Sequence, residues 1–283
     1  MSNCKLIAID MDGTLIGENG ISQADKAALL AAKEAGHIVT IVSGRSDTSV
    51  AELLANEGLG NLPISGSNGA VTIVNGKEIN RVSMPEALVE KVVSYLNNQH
   101  PFLIYTSAGV FSKATFLEEV RAEFASTPGA KGSPFESYEF MAEYNDNHEV
   151  SHYSDLADIF KTADVFKIFA FLPNPIKKEA CMSHISSFSD VSITSSYSDN
   201  VSISSAAGHK GTGLQALANY FNVPLENTVA IGDNLNDLAM LKIAGFSVAM
   251  GNAEPEVKAT CDVITLSNLH SGVAHAIHEY ILK

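Results

Sequence analysis

The chain has 283 residues, of which 46% are hydrophobic and 18% charged, and its 18 Lys and Arg against 32 Asp and Glu give a formal net charge of −14. This composition is typical of a packed globular protein of one large or two medium domains and excludes an intrinsically disordered chain. The acidic balance argues against nucleic acid and anionic membranes as partners, because both need clustered Lys and Arg.

The N-terminal residues indicate a cytoplasmic protein. Only four apolar residues, Leu6 to Ile9, precede Asp10, which is too short for the core of a signal peptide. No segment reaches the roughly 20 apolar residues that a membrane span needs. The three cysteines are far apart and show neither metal-type spacing nor a disulfide framework.

Short apolar runs in the two flanks of the chain predict strands that are buried on both faces, as in a parallel sheet. The runs are 6–9, 38–42, 229–231, 246–250 and 263–266. Helical patterns at about 22–35, with Ser22 as N-cap and Gly36 just beyond the end, and at about 213–221 alternate with these strands. The alternation predicts a doubly wound, Rossmann-like α/β core with a parallel sheet.

The middle of the chain has a different composition. Of the 21 Phe and Tyr residues, 17 lie between positions 84 and 204. We expect helices at 85–98 and 175–188, strands at 102–105 and 166–172, and a serine-rich hairpin around Asp199-Asn200, whereas 106–165 shows no clear pattern. We therefore predict an α+β domain at 84–204, inserted into an α/β core formed by 1–83 and 205–283.

Polar motifs follow three of the predicted strands. They are Asp10-Met11-Asp12-Gly13-Thr14, Ser43-Gly44-Arg45, and Gly232-Asp233-Asn234-Leu235-Asn236-Asp237. Ligands of open parallel sheets bind beyond the carboxyl ends of the strands. We therefore expect the three motifs to meet in one crevice, although each alone is common in ordinary turns.

The carboxylates of these motifs predict a cation site. Asp10, Asp12, Asp233 and Asp237 would repel one another strongly in one small site unless a cation were bound. Because no His or Cys lies near them in the sequence, the ligands would be oxygen atoms, which favours Mg²⁺ together with a phosphorylated ligand.

Candidate phosphate donors accompany the carboxylates. Lys210 stands just before a predicted helix, where its ammonium group and the helix N-terminus can both attract a phosphate oxygen. Ser43 and the Gly44 N–H can supply neutral donors. A bound metal and Lys210 would thus let an acidic protein bind an anionic ester.

The sequence resembles the haloacid dehalogenase-like phosphatases, and among them the Cof-like hydrolases, over essentially its whole length. The matching motifs are Asp10 to Thr14, Ser43-Gly44-Arg45, Lys210 before a helix, and Gly232 to Asp237. Asn68-Gly69-Ala70, Ser267-Asn268 and Gly272-Val273-Ala274 are also similar to that group, whereas His270-Ser271 departs from it. The family's α/β cap lies where the aromatic-rich insertion lies here.

The resemblance implies a role for each motif residue. Asp10 would be the nucleophile that forms an aspartyl-phosphate, and Asp12 would protonate the leaving oxygen and then deprotonate the hydrolytic water. Mg²⁺ would be bound by Asp10, the Asp12 backbone carbonyl and Asp233, with Asp237 orienting or supplementing them. The transferring phosphoryl group would be held by Ser43, Gly44, Lys210 and Asn236, and Arg45 is a candidate substrate contact.

These inferences predict a Mg²⁺-dependent phosphatase. Residues 84–204 carry a net charge of −8, which suits a small phosphate ester, such as a sugar phosphate or a phosphorylated cofactor, better than a polyanionic polymer. We expect a monomer or a weak homodimer. The alternatives are a phosphomutase or phosphotransferase on the same core and a ligand-binding protein without activity.

Overall fold

The computed structural model describes residues 4–17, 20–97, 99–127, 150–195 and 198–283. The chain divides into two compact units, which we call unit 1 (Met1–Arg81 with Gly208–Lys283) and unit 2 (Val82–Ala207). The described strands of unit 1 are β1 Leu6–Ile9, β2 Ile16–Gly17, β3 Gly20–Ile21, β4 Ile38–Val42, β5 Ile64–Gly66, β6 Val71–Val74, β7 Lys77–Arg81, β14 Thr228–Gly232, β15 Phe246–Ala249 and β16 Val263–Ile264. Its described helices are α1 Gln23–Glu34, α2 Asp47–Asn56, α7 Lys210–Phe221, α8 Leu238–Leu241, α9 Pro255–Thr260 and α10 Gly272–Tyr280.

Unit 1 contains an eight-stranded sheet in the order β16-β15-β14-β1-β4-β5-β6-β7. The strands from β16 to β5 run parallel, so the predicted α/β core is confirmed. All four residues of β1 are fully buried between β14 and β4. Burial on both faces explains why the strand is a continuous apolar run rather than an alternating pattern.

An antiparallel extension, β5-β6-β7, was not predicted. Strand β7 is mostly polar and exposed, so it lacks the apolar run that indicated the other strands. The turn before it is Asn75-Gly76, and both residues have positive φ, 52° and 72°. This pair is typical of a tight hairpin, which is the sequence signal that could have indicated the extension.

Two helices of unit 1 show how their termini are specified. The prediction of Ser22 as the N-cap of α1 is confirmed, because its Oγ accepts a hydrogen bond from the Asp25 N–H. Helix α7 begins at Lys210, three residues before the predicted start at 213, and His209 Nδ1 caps it by accepting from the Thr212 N–H. Residues 210–213 include two glycines and no apolar side chain, so this turn has no apolar pattern; a Cβ at Gly213 would lie 2.2 Å from Ser65 Oγ.

Unit 2 contains a six-stranded sheet in the order β10-β9-β8-β11-β13-β12. Its described strands are β8 Phe102–Thr106, β9 Gly109–Ser112, β10 Ser151–His152, β11 Val165–Phe171, β12 Val191–Thr194 and β13 Asn200–Ser205. Its described helices are α3 Glu86–Leu96, α4 Phe116–Ser126, α5 Leu156–Phe160 and α6 Pro175–Ile185. The serine-rich hairpin is confirmed as antiparallel β12 and β13. Most of the unclear stretch 106–165 is now described, but 128–149 lies outside the described residues.

Each unit has a hydrophobic core of its own. In unit 2, α3 and α6 pack with β8, β11 and β13 around Val92, Ile168 and Ile203. A smaller cluster joins Leu103, Phe116, Val120 and Phe171. Within the described ranges, no helix combines the length and apolar character needed to span a membrane.

Candidate active site

The carboxyl ends of adjacent strands position the predicted motifs. Asp10 directly follows β1, Ser43 follows β4, and Asp233 follows β14. The Asp10 N–H donates to the Ile231 carbonyl at 2.9 Å, which extends the β1–β14 ladder to the nucleophile candidate. Strand order alone therefore brings residues from both flanks of the chain together.

Three carboxylates form an acidic cluster, which we define as Asp10, Asp233 and Asp237. One oxygen atom from each lies within 4.8 Å of the others. Asp10 is 3% exposed and Asp237 is fully buried. Lys210, 1% exposed, joins two of them, because its Nζ lies 2.5 Å from Asp10 Oδ1 and 2.5 Å from Asp237 Oδ1.

Burial and mutual repulsion set the charge of this cluster. Burial, and after it the negative charge of Asp237, raise the pKa of the Asp10 carboxyl well above its ordinary value, and Lys210 offsets only part of this rise. Burial also raises the pKa of Asp233, against a hydrogen bond from Thr14. Burial alone would lower the pKa of Lys210, but the carboxylates of Asp10 and Asp237 outweigh it and raise that pKa, so the ammonium group stays charged.

The acidic cluster fits a divalent metal ion. Its ligand atoms are all carboxylate oxygens, which hard cations prefer. Lys210 offsets one of three negative charges, and a divalent cation would balance the other two. Such an ion would also favour the ionised forms that burial disfavours.

Asp237 is bound within the protein through both of its oxygens. Oδ1 accepts from Lys210, while Oδ2 accepts from the backbone N–H groups of Asp233 and Asn234, both at 2.9 Å. A Cβ at Gly232 would lie 2.6 Å from the Asp237 carboxyl carbon, so only glycine fits at that position. The contacts of Asp237 thus shape the loop that carries Asp233.

Thr14 and Gly13 both lie against the carboxylate of Asp233. Thr14 is fully buried, and its Oγ1 donates to Asp233 Oδ1 at 2.6 Å. Gly13 has φ 82°, and a Cβ there would stand 2.4 Å from Asp233 Oδ2. The sequence motifs assign Thr14 no role; its place at the end of the Asp10–Thr14 motif, two residues after Asp12, is the available signal.

The carboxylate of Asp12 lies apart from the acidic cluster and pairs with Arg45. Arg45 Nε and Nη2 donate to its two oxygens at 2.9 and 2.6 Å. The Asp12 side chain is 52% exposed and the Arg45 side chain is 39% exposed. Arg45, predicted as a substrate contact, therefore orients Asp12 in this structure through a bidentate ion pair.

Three of the predicted phosphate-binding residues, Ser43, Gly44 and Asn236, lie close to one another, and Asn68 joins them. Ser43 is fully buried. Asn236 Nδ2 donates to Asn68 Oδ1 at 3.0 Å, and a Cβ at Gly44 would lie 3.2 Å from that Oδ1. From the sequence, Asn68 is singled out only as part of a family motif. Its contact with Asn236 could not be predicted, because the two residues are 168 positions apart in the chain.

Comparison with known proteins identifies the family. The family model of haloacid dehalogenase-like hydrolases matches residues 7–277. The chain belongs to this family. The family and hydrolase predictions are therefore confirmed.

Individual relatives of the haloacid dehalogenase-like family match over nearly full length. Phosphatase YwpJ of Bacillus subtilis (strain 168) is 29% identical over 96% of this chain and 98% of its own. The 5-amino-6-(5-phospho-D-ribitylamino)uracil phosphatase YwtE of the same organism is 28% identical, with 98% of both chains covered. A solved haloacid dehalogenase-like hydrolase from B. subtilis superposes with a TM-score of 0.82 at 27% identity, covering 98% of this chain and all of that one. This likeness confirms the fold class predicted for the chain, a Rossmann-like core with a cap.

Proposed function

We propose that this chain is a Mg²⁺-dependent phosphatase that hydrolyses small phosphorylated metabolites through an aspartyl-phosphate on Asp10. The observation that carries this proposal is the buried Lys210, which bridges Asp10 and Asp237 beside Asp233. A fixed positive charge next to a nucleophilic carboxylate and a divalent-cation site suits phosphoryl transfer, which depends chiefly on positioning and charge neutralisation.

In the first step, an Asp10 oxygen attacks phosphorus and the bond to the leaving oxygen breaks, while Asp12 donates a proton to that oxygen. In the second step, Asp12 takes a proton from water, which attacks phosphorus and releases phosphate and free Asp10. A covalent route divides one difficult displacement into two easier ones. Both Asp12 oxygens accept from Arg45 in this structure, so this ion pair would have to open for Asp12 to carry and donate a proton.

The remaining residues of the site would bind and position the phosphoryl group. Asp10, the Asp12 backbone carbonyl and Asp233 would hold Mg²⁺, and Asp237 would support Asp233 and Lys210. Bound there, Mg²⁺ would neutralise charge on the phosphoryl oxygens. Ser43, Gly44, Lys210 and Asn236 would donate hydrogen bonds to those oxygens.

The substrate class follows from charge and from the relatives. YwtE is named for a small phosphate ester that carries a ribityl chain. Residues 84–204, with their net charge of −8, disfavour a polyanionic polymer. We infer that these residues act as the cap and select the leaving group.

The proposal is tested with Asp10→Asn, which removes the nucleophile but keeps the shape of the side chain. We expect the variant to release no phosphate above background from an aryl phosphate in Mg²⁺, because an amide oxygen is a poor nucleophile. Phosphate is measured colorimetrically, and circular dichroism checks the fold. Asp158→Asn, an exposed change in unit 2, is the matched control and should retain activity.

Two results would contradict the proposal. Undiminished turnover of Asp10→Asn would exclude Asp10 as the nucleophile. Transfer of phosphate to an added alcohol in place of release to water would indicate a phosphotransferase.

A further inference from the structure

The turn after β5 has an unusual backbone. Ser67, Asn68 and Gly69 have φ values of 51°, 56° and 90°, so three successive residues lie in the left-handed region. Residues other than glycine rarely adopt this conformation, and it persists only where surrounding contacts impose it. Such positions concentrate at functional sites, which directs attention to what the turn contacts.

The backbone of the turn is bonded to the segment that carries the predicted phosphate donors. The Ser67 N–H donates to the Arg45 carbonyl at 2.6 Å, and the Asn68 N–H donates to the Ser43 carbonyl at 2.9 Å. These bonds hold the residues on both sides of Gly44. The turn therefore fixes the direction of the Ser43-Gly44-Arg45 backbone.

The same turn also lies against the start of α7. A Cβ at Gly69 would stand 2.1 Å from the His209 carbonyl oxygen. His209 is the N-cap of the helix whose first residue is Lys210. The turn thus contacts both the neutral donors and the element that presents the cationic one.

The side chain of Asn68 completes this arrangement. Its Oδ1 accepts from Asn236 Nδ2 at 3.0 Å. An amide nitrogen carries two N–H groups, so this bond engages one and sets the direction of the other. Asn236 would then present its second N–H in a fixed orientation.

We propose that Asn68 is a positioning residue of the phosphoryl site, orienting the Asn236 amide and the Ser43–Arg45 backbone for a bound phosphoryl group. This inference rests on the proposed function. Asn68 acts through Asn236 and through the backbone, and it needs no contact with the phosphoryl group itself.

Asn75 provides a matched control, because a left-handed backbone alone would also favour asparagine. It has φ 52° and is exposed in the hairpin between β6 and β7. Glycine adopts this conformation freely, so Asn68→Gly and Asn75→Gly both preserve the turn and remove a side chain. Of the two, only Asn68→Gly removes a bond to Asn236.

We expect Asn68→Gly to lower kcat for an aryl phosphate about tenfold with little change in KM, since one orienting hydrogen bond is lost. Asn75→Gly should match the wild type, and both variants should have similar melting temperatures. In an Asn236→Ala background, Asn68→Gly should lower kcat little further. A wild-type kcat for Asn68→Gly, or a full additional loss in that background, would overturn the inference.

A second variant separates orientation from folding. Asn68→Asp keeps an oxygen acceptor for Asn236 and tolerates the left-handed backbone, but adds negative charge. We expect it to retain most of kcat and to raise KM. A kcat loss equal to that of Asn68→Gly would count against the inference.

Binding of a transition-state analogue distinguishes this inference from the proposed function. If the wild type releases no phosphate, the proposed function fails, and calorimetric titration in Mg²⁺ with orthovanadate, a five-coordinate analogue of the phosphoryl transition state, tests Asn68. Weaker binding by Asn68→Gly than by Asn75→Gly supports the inference. Equal binding by both variants, or no binding by the wild type, rejects it.

Discussion

Single side chains in this site act largely by orienting others. Thr14, buried beneath the acidic cluster, donates to Asp233, and Asp237 accepts from the backbone around Asp233. Groups that orient metal ligands typically change metal affinity 10- to 100-fold when removed. Thr14 is therefore a sensitive probe of the proposed Mg²⁺ site.

Thr14→Val replaces a hydroxyl with a methyl group of similar size. We expect the half-saturating Mg²⁺ concentration for phosphatase activity to rise about tenfold, because Asp233 loses its hydrogen-bond donor. Titration of activity with MgCl₂ measures the effect. Thr40→Val, which removes another buried hydroxyl, bonded to the Pro63 carbonyl, controls for stability and should leave the Mg²⁺ dependence unchanged. An unchanged Mg²⁺ dependence in Thr14→Val would show that Thr14 does not orient Asp233 for metal binding.

The sequence placed Asp10, Asp233 and Asp237 correctly in one region because strand ends of a parallel sheet share an edge. Their contacts with Thr14 and Asn68 could not be predicted in the same way. The bond of Thr14 to Asp233 spans 219 residues, and its existence depends on the left-handed Gly13. Such contacts follow from three-dimensional packing and leave no periodic signal in the chain.

At the scale of elements, one buried carboxylate joins two helices of unit 1. Asp25, 1% exposed, lies in the first turn of α1, where its Oδ2 accepts from Ser22 Oγ at 2.6 Å. Its Oδ1 accepts from the Ala274 N–H near the start of α10 at 2.8 Å. Asp25 thus satisfies donors at the N-terminal ends of both helices.

This carboxylate predicts a pH dependence of stability. Burial raises the pKa of Asp25 from its ordinary value of 3.8, and hydrogen bonds from Ser22 and Ala274 offset only part of the rise. The folded state therefore binds this proton more tightly than the unfolded state, and the resulting stability falls as pH rises through the raised pKa. Asn at position 25 does not titrate.

Urea unfolding of the wild type and of Asp25→Asn at pH 4.5 and 7.5 tests the direction of this pH dependence. We expect the stability of the wild type relative to the variant to be greater at pH 4.5. Asp158→Asn controls for the loss of a carboxylate elsewhere. The opposite trend would show that the hydrogen bonds outweigh burial and that the pKa of Asp25 is lowered.

The helices and strands with strong apolar patterns were predicted well, whereas polar elements were not. Strand β1 has its predicted bounds because all its residues are buried. Strand β7 and the first turn of α7 were missed because exposed charges and close-packed glycines carry no apolar pattern. These are the elements whose conformation depends on their neighbours.

The whole molecule consists of a continuous unit 2 and a unit 1 assembled from two separate segments. We expect a fragment of residues 82–207 to fold alone, because it contains its own hydrophobic clusters. Circular dichroism during urea unfolding should show one cooperative transition. A gradual change without a transition would mean that unit 2 depends on unit 1.

The monomer or weak homodimer and the cytoplasmic location stay predictions.

The position of β1 between β4 and β14 has a consequence for biosynthesis. During translation, Asp10 emerges first, but Lys210, Asp233 and Asp237 follow only after the whole of unit 2. A ribosome-bound chain can therefore complete unit 2 while β1 still lacks one neighbour and Asp10 lacks the other carboxylates of the acidic cluster. Prematurely terminated chains would carry the proposed nucleophile, Asp10, without Lys210, Asp233 and Asp237.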